Sequence, residues 1–179
     1  LVARKNVQLI NKRCHDLKVQ IADLRRLAPA AAEAQLREAE AAAAAYDTAA
    51  DTGNEVLDVV LTEKTLLCQA DGIRLHSVAD GRCMRFLEAG DLYTLFSNVL
   101  DLCIQQAKAV PEPEHRMIDL VVVHRQGFAV ISAAVPVQGQ EVKEDYPLKV
   151  IRRIVEGHNG VLTCECAGGF YTVKILFPA

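Results

Sequence analysis

Apolar residues in the first part of the chain recur at alternating spacings of three and four. In residues 3–27 they are Ala3, Val7, Ile10, Cys14, Leu17, Ile21 and Leu24, and in residues 30–51 they are Leu36, Ala39, Ala43, Tyr46 and Ala50. This spacing is typical of the seam of helices that pack in a bundle. The short break at Leu27-Ala28-Pro29 predicts an antiparallel helical hairpin. Because a lone hairpin would leave its seam in water, we predict a homodimeric four-helix bundle, with packing against the rest of the same chain as the alternative.

The rest of the chain mixes helical and strand patterns. Gly53-Asn54 suits the end of one helix and the start of the next, so we place a domain boundary there, between residues 1–53 and 54–179. The pattern then predicts helices at 55–70, 91–110 and 148–156, strands at 73–79, 118–124, 128–134, 161–166 and 171–177, and an irregular stretch at 135–146. Arg125-Gln126-Gly127 and Gly168-Gly169 mark two hairpin turns. This mixed order favours an α+β sandwich with its helices on one face of a sheet.

Composition narrows the class of protein. The chain has 179 residues, of which 51% are hydrophobic and 24% charged, and its net charge is -3. These values are typical of a globular protein and give no reason to expect a nucleic-acid or anionic-membrane surface. No apolar run approaches the length of a membrane span. Since the chain begins with Leu1 inside a helical pattern, we expect it to be a piece of a longer protein.

The cysteines predict buried, reduced thiols in a cytosolic protein. The chain has six, none of them in a CxxC pair, and most lie among apolar residues. Cys164 and Cys166 would share one face of a strand. Two thiolates without further ligands do not make a zinc site, so no metal site is predicted there.

A short run on the first helix carries the candidate chemistry. It reads His15-Asp16-Leu17-Lys18-Val19-Gln20, and His15 follows the seam residue Cys14, so its imidazole should flank the core and reach water. A histidine offers a nitrogen nucleophile, and Asp16 can hold its tautomer or accept its proton. The pattern is suited to taking a phosphoryl group; an ordinary surface His-Asp pair is the alternative.

Four segments carry a resemblance to a known family: CHDLKVQIADLR at 14–25, TGNEVLDVVLTEK at 52–64, DLYTLFSNVLD at 91–101 and LKVIRRIVEGHNG at 148–160. In order and spacing they resemble the cytoplasmic catalytic region of a bacterial sensor histidine kinase, in the branch of quorum-sensing peptide receptors, whose ATPase domain belongs to the GHKL superfamily. The resemblance implies a dimerisation and phosphoacceptor domain followed by an ATP-binding domain. It also implies ATP and Mg²⁺ as cofactors, a response-regulator receiver domain as partner, and anchoring to a membrane through an upstream sensor region.

The resemblance assigns roles to individual residues. His15 matches the phosphorylated histidine, Asp16 the neighbouring acid, and Gln20 the position that orients water for removing phosphate from a response regulator. Val19 stands where that branch usually has a second histidine. Asn98 matches the first of two asparagines that hold Mg²⁺ and the phosphates.

The ATP site departs from the family pattern. Leu102 replaces the second asparagine, and Gln105 replaces an acid close behind it. Asp145 and Pro147 stand where the family has the glycines of its phosphate loop, and the short stretch 135–146 replaces the long ATP lid. A hydrocarbon side chain cannot coordinate a hard cation, proline has no N–H, and a carboxylate repels phosphate.

Three functions therefore stay open. A working kinase would bind ATP beside Asn98 and let His15 attack the γ-phosphate. A degenerate pseudokinase would keep the fold and the dimer and act as a signalling scaffold or a phosphatase. The intact His15, Asp16 and Gln20 beside an altered ATP site favour the pseudokinase. An anti-sigma-type ATPase is a third interpretation, and the long seam helices argue against it.

Overall fold

The computed structural model of the protein describes residues 50–139 and 141–178. The helices are α1 (Glu55–Ala70), α2 (Ala89–Lys108) and α3 (Tyr146–Gly157), and the strands are β1 (Arg74–Ala79), β2 (Met117–Arg125), β3 (Phe128–Pro136), β4 (Val161–Ala167) and β5 (Phe170–Pro178). Two short 3-10 helices, Gly81–Met84 and Pro113–His115, were not expected from the sequence. The predicted helical hairpin, with His15, Asp16 and Gln20, lies outside the described residues except at its end, where Ala50 and Asp51 are not helical as predicted.

The strands form one mixed sheet in the order β1-β2-β3-β5-β4. β1 runs parallel to β2, and every other neighbouring pair is antiparallel. Both predicted β-hairpins, β2-β3 and β4-β5, are confirmed. Their turns have positive φ at Gln126 and Gly127 and at Gly168 and Gly169. Glycine adopts this left-handed region without steric cost, which is why these dipeptides mark the turns.

The helices pack on one face of the sheet, as the sequence predicts. Along β3 and β5 every second residue is buried, and both strands pack against α2, whereas α3 packs against β4. The buried set on these two strands is Ala129, Ile131, Ala133, Val135, Tyr171, Val173, Ile175 and Phe177. On the opposite face, Val78 and Val161 are 57% and 59% exposed. The period of two along each strand therefore separates an inner core face from an outer face.

The start of α1 is tied to the end of β1. The Asn54 side chain caps the helix by accepting from the N–H groups of Val56 and Leu57 at 3.1 and 3.2 Å. The N–H of Gly81 donates to the carbonyl oxygen of Thr52 at 2.8 Å. Burial raises the pKa of Asp58, whose carboxylate accepts from both the N–H and the hydroxyl of Thr52. These bonds fix the direction in which the chain arrives at α1.

A salt bridge joins α1 to α2. The Nζ atom of Lys64 lies 2.6 Å from Oδ1 of Asp101, and the lysine side chain is only 10% exposed whereas that of Asp101 is 46% exposed. The buried Lys64 ammonium therefore needs the bridge more than the exposed Asp101 carboxylate does, since a buried cation without a counter-charge is destabilising.

We expect Asp101→Asn to lower the free energy of unfolding by about 1–3 kcal/mol, because it leaves the buried Lys64 without a counter-charge. Lys64→Met should cost less than about 1 kcal/mol, since a thioether of similar length fills the space and Asp101 reaches water. Urea unfolding followed by circular dichroism measures both variants. The opposite order of stabilities would contradict this assignment.

Candidate functional site

A cavity of about 410 Å³ lies between the C-terminal half of α2 and the segment that leads into α3. Its lining residues are Leu102, Gln105, Gln106, Ala109, Gly139, Glu141, Lys143, Asp145 and Tyr171. Three of the positions singled out in the sequence thus converge here: Leu102 and Gln105 from α2, and Asp145 from the loop. They are far apart in the chain, and only the packing of α3 on α2 brings them together.

Leu102 forms an apolar part of the cavity wall. Its side chain is 1% exposed and belongs to the contiguous hydrophobic core. The carbon atoms of leucine offer no lone pair to a cation, and Mg²⁺ requires oxygen ligands in a nearly ideal octahedron. The position therefore contributes to the stability of α2 and supplies nothing to a metal ion.

The Asn98 side chain forms a hydrogen bond within α2. Its Nδ2 atom donates to the carbonyl oxygen of Thr94, one turn earlier in α2, at 2.7 Å. Among the described residues that line the cavity, Asn98 is absent.

The N-terminus of α3 is already occupied by a carboxylate of the chain itself. Asp145 is the N-cap of the helix, and its Oδ1 accepts from the N–H of Leu148 at 3.5 Å. Helix N-termini bind phosphate through free N–H groups and the positive end of the dipole. In this protein Asp145 takes that place and Pro147 removes one donor. This end of the cavity therefore disfavours an anionic ligand.

Tyr171 closes the cavity from the sheet. The ring is 1% exposed, and the Cys164 thiol donates to its hydroxyl oxygen at 3.3 Å. Burial, together with this hydrogen bond, raises the pKa of Tyr171, so the phenol is neutral at physiological pH. The wall it forms is flat, aromatic and uncharged.

All five described cysteines are unpaired, but the prediction that they are buried holds for only two, since Cys83, Cys164 and Cys166 are only partly buried. Cys68 and Cys103 are buried and unpaired, and burial raises the pKa of Cys68 to about 11. His76 and His124 lie on β1 and β2. His158 follows α3, with its Nε2 atom 3.4 Å from Oδ2 of Asp91. These groups are explained by the fold alone.

Most of the cavity lining escaped the sequence analysis. Gln106, Ala109, Glu141, Lys143 and Tyr171 were not singled out, although all five line it. Tyr171 carried a signal, since it begins an alternating strand on its buried face. The other four residues gave no such signal in the sequence. A residue on a helix face or in a loop lines a cavity only if another element packs opposite it.

The family model of the GHKL domain matches residues 87–178, just over half of the chain. The chain belongs to the GHKL domain family. The matched region begins immediately before α2 and ends with β5, so it contains both walls of the cavity. GHKL domains in general bind ATP with Mg²⁺, and the cavity with Leu102, Gln105 and Asp145 lies within the matched region.

Solved structures of histidine kinases have the same fold. The histidine kinase domain of the blue-light activated histidine kinase from Erythrobacter litoralis EL346 matches with a TM-score of 0.51 and 14% identity over 98% of this chain and 93% of that one. The histidine kinase AdeS from Acinetobacter baumannii matches with a TM-score of 0.54 and 9% identity, over 96% and 95%. The catalytic domain of the histidine kinase ThkA gives 0.53 and 12%, over 72% and 92%. No curated protein sequence matches the chain.

Two residues at the positions matched to the family's ligands do not fit Mg²⁺ and ATP. Leu102 offers no ligand oxygen, and Asp145 holds the helix N-terminus that would receive phosphate. In the part of the chain that the structure describes, no helix is both long and apolar enough to cross a membrane.

Proposed function

We propose that this chain is the kinase region of a sensor histidine kinase whose GHKL domain works without a nucleotide, as a dimeric signalling scaffold. The observation that carries the proposal is the cavity wall: a core leucine and an N-cap aspartate occupy the positions that should hold the metal and the phosphates. Losing both contacts removes the electrostatic interactions on which binding of a polyanion depends.

In a protein that binds no nucleotide, any phosphoryl transfer would take place on the predicted helical hairpin. In this proposal residues 1–53 form the homodimer, and His15 with Asp16 accepts a phosphoryl group from another kinase or presents its helix to a response-regulator receiver domain. Gln20 would orient water for dephosphorylating that partner, as the resemblance implies. The chain would lie on the cytoplasmic side, joined to an upstream membrane sensor that supplies the signal.

The competing function is a working kinase, in which ATP binds beside Asn98 and His15 attacks its γ-phosphate. It requires Mg²⁺ to bind Oδ1 of Asn98, which the bond from Nδ2 to Thr94 leaves available, and to find its remaining ligands elsewhere. A measurement of nucleotide binding distinguishes the working kinase from the scaffold without a phosphorylation assay.

We expect the full chain to show no heat of binding and no change in melting temperature with a non-hydrolysable ATP analogue and Mg²⁺ at millimolar concentration. A ligand at a hundred times its Kd would stabilise the fold by about 2.7 kcal/mol, a clear rise in melting temperature. Calorimetry and thermal shift measure the two effects, and sedimentation confirms that the sample is a folded dimer. Micromolar binding would establish the kinase instead, with His15 phosphorylation as the next assay.

A further inference from the structure

The outer face of the sheet, which points away from the helices, carries large apolar side chains that are exposed. Among the residues that the structure describes, four of the seven exposed large hydrophobic residues lie on this face: Val78, Phe128, Val161 and Phe170. An antiparallel sheet with one face in water normally alternates apolar residues inside with polar residues outside. The outer face of this sheet departs from that pattern and needs a physical explanation.

One row of apolar residues crosses four neighbouring strands on the outer face. Val123 on β2 pairs with Val130 on β3, which pairs with Leu176 on β5. Leu176 pairs in turn with Val161 on β4. We call these four residues the apolar row (Val123, Val130, Leu176 and Val161). Three of them are only partly buried, Val161 is exposed, and none of the four belongs to the hydrophobic core or packs against it.

The sequences of these strands are apolar on both faces. Residues 120–123 read Leu-Val-Val-Val, and residues 175–177 read Ile-Leu-Phe. Apolar runs without alternation are typical of strands that are covered on both sides. The helices cover the inner half of each run, since Val122 and Ile175 are fully buried. The outer half of each run therefore calls for a second layer.

The extent of the outer face indicates how large that layer is. Phe128 begins β3, and Phe170 pairs with Pro136 at the other end of β3, so apolar side chains span the full length of the strand. Five strands about 4.8 Å apart, each up to nine residues long at about 3.3 Å per residue, cover roughly 24 by 30 Å, or about 700 Å². Each partner in a stable interface buries about 800 Å². A single helix, about 10 Å wide, would cover less than half of this width.

We propose that the outer face of the sheet binds the same face of a second copy of this chain. Sheets that pack face to face keep their strands within about 30° of each other. A two-fold axis along β3 then lays β2 of one copy over β5 of the other, with residues at the same height facing each other. Val130 meets Val130 of the second copy, and Val123 meets Leu176 of the second copy. The apolar row thus lies on the apolar row.

The charges beside β3 match under the same symmetry. Asp119 on β2 pairs with Ala134, and Lys174 on β5 pairs with Ser132, so the two charges lie on opposite sides of β3 and two residues apart along it. Because the axis lays β2 over β5, the long side chain of Lys174 comes within reach of Asp119 of the second copy. The Asp119 side chain is 47% exposed and can accept this contact. The symmetry produces two such ion pairs.

This interface goes beyond the proposed function and does not rest on it. The apolar row lies on the opposite face of the sheet from the helices and the cavity, so the nucleotide titration has the same outcome whether or not the outer faces pair. The predicted helical hairpin would supply a separate contact between chains. A dimer in solution therefore does not by itself test the outer face, and the experiment must map the contact.

Photo-cross-linking of the full chain maps the contact directly. The photo-reactive analogue p-benzoylphenylalanine replaces Phe128, whose side chain is 43% exposed, and isotope-labelled and unlabelled chains are mixed before illumination. We expect peptide mass mapping to find links from position 128 to β3 or β5 of another chain. The same analogue at Leu67, which is 49% exposed on α1, is the control and should give no such links. Links from position 128 only to the same chain or to residues 1–49 of either chain, or no links, would overturn the proposal.

A charge test on the axis supplies an independent measurement. Val130→Lys places two ammonium groups face to face and should lower the yield of these interchain links about tenfold, because like charges across an interface are strongly unfavourable. When Val130→Lys chains are mixed with Val130→Glu chains, the links between unlike chains should exceed those between like chains about tenfold. Circular dichroism confirms that both variants are folded. Equal yields of like and unlike links would contradict the two-fold contact, and the first measurement stands without these variants.

Discussion

Replacing Gly81 with alanine is expected to lower the free energy of unfolding by about 2–4 kcal/mol. Gly81 is buried where β1 meets the start of α1, and a Cβ atom there would lie 2.5 Å from both Asn54 Cβ and Thr52 Oγ1. To make room, the chain must move Asn54, which caps α1, or break the bond from Gly81 N–H to Thr52. Overpacking and the loss of the helix cap would then both lower the free energy of unfolding.

Gly90→Ala is the matched control for this substitution. Gly90 lies in the first turn of α2, where an added Cβ would meet nothing within 4 Å. Alanine there should leave stability unchanged or raise it by up to about 1 kcal/mol, since glycine is the weaker helix former. Urea unfolding of both variants, followed by circular dichroism, measures the difference. Equal stabilities would mean that the connection between β1 and α1 adapts freely.

Replacing Leu102 with asparagine should cost about 2–4 kcal/mol, although it restores the residue that the family uses to hold Mg²⁺. The side chain is 1% exposed and packs in the core, so asparagine would both remove apolar contacts and bury an amide. Leu102→Met is the volume-matched control and should cost less than about 1.5 kcal/mol. Thermal and urea unfolding measure both. An asparagine variant as stable as the natural chain would contradict the packing role of Leu102.

The same variant bears on the nucleotide site. Leu102→Asn alone should gain no affinity for Mg²⁺ and ATP, because Asp145 still caps α3 and Pro147 still lacks an N–H. Adding Pro147→Gly restores one backbone donor. If the double variant gains no affinity, the defect lies in the shortened lid or in the Asp145 carboxylate.

These experiments separate two properties that a functional GHKL domain must combine. A side chain that coordinates Mg²⁺ must face a wet cavity, and such a polar group contributes little to the core. In this chain Leu102 contributes its contacts to the core, and the cavity keeps a volume of about 410 Å³. Stability and metal binding therefore place opposite demands on the side chain at this position.

The sequence by itself determined the features that depend on neighbouring residues or on the chemistry of one side chain. Gln126-Gly127 and Gly168-Gly169 specify their turns because the left-handed conformation is a local property. The spacing of apolar residues along α2 identifies its buried face in the same local way. The inability of Leu102 to bind a cation follows from its atoms, whatever the fold.

The tertiary structure alone decided which distant parts meet. The sequence predicts β1 as a strand, but only packing makes it parallel to β2 and inserts β5 between β3 and β4. The same holds for the Lys64–Asp101 bridge, the close approach at Gly81 and the position of Tyr171 in the cavity. Each of these depends on closing long loops and on side chains that meet only once the core has formed. No local pattern in the chain records such a pairing.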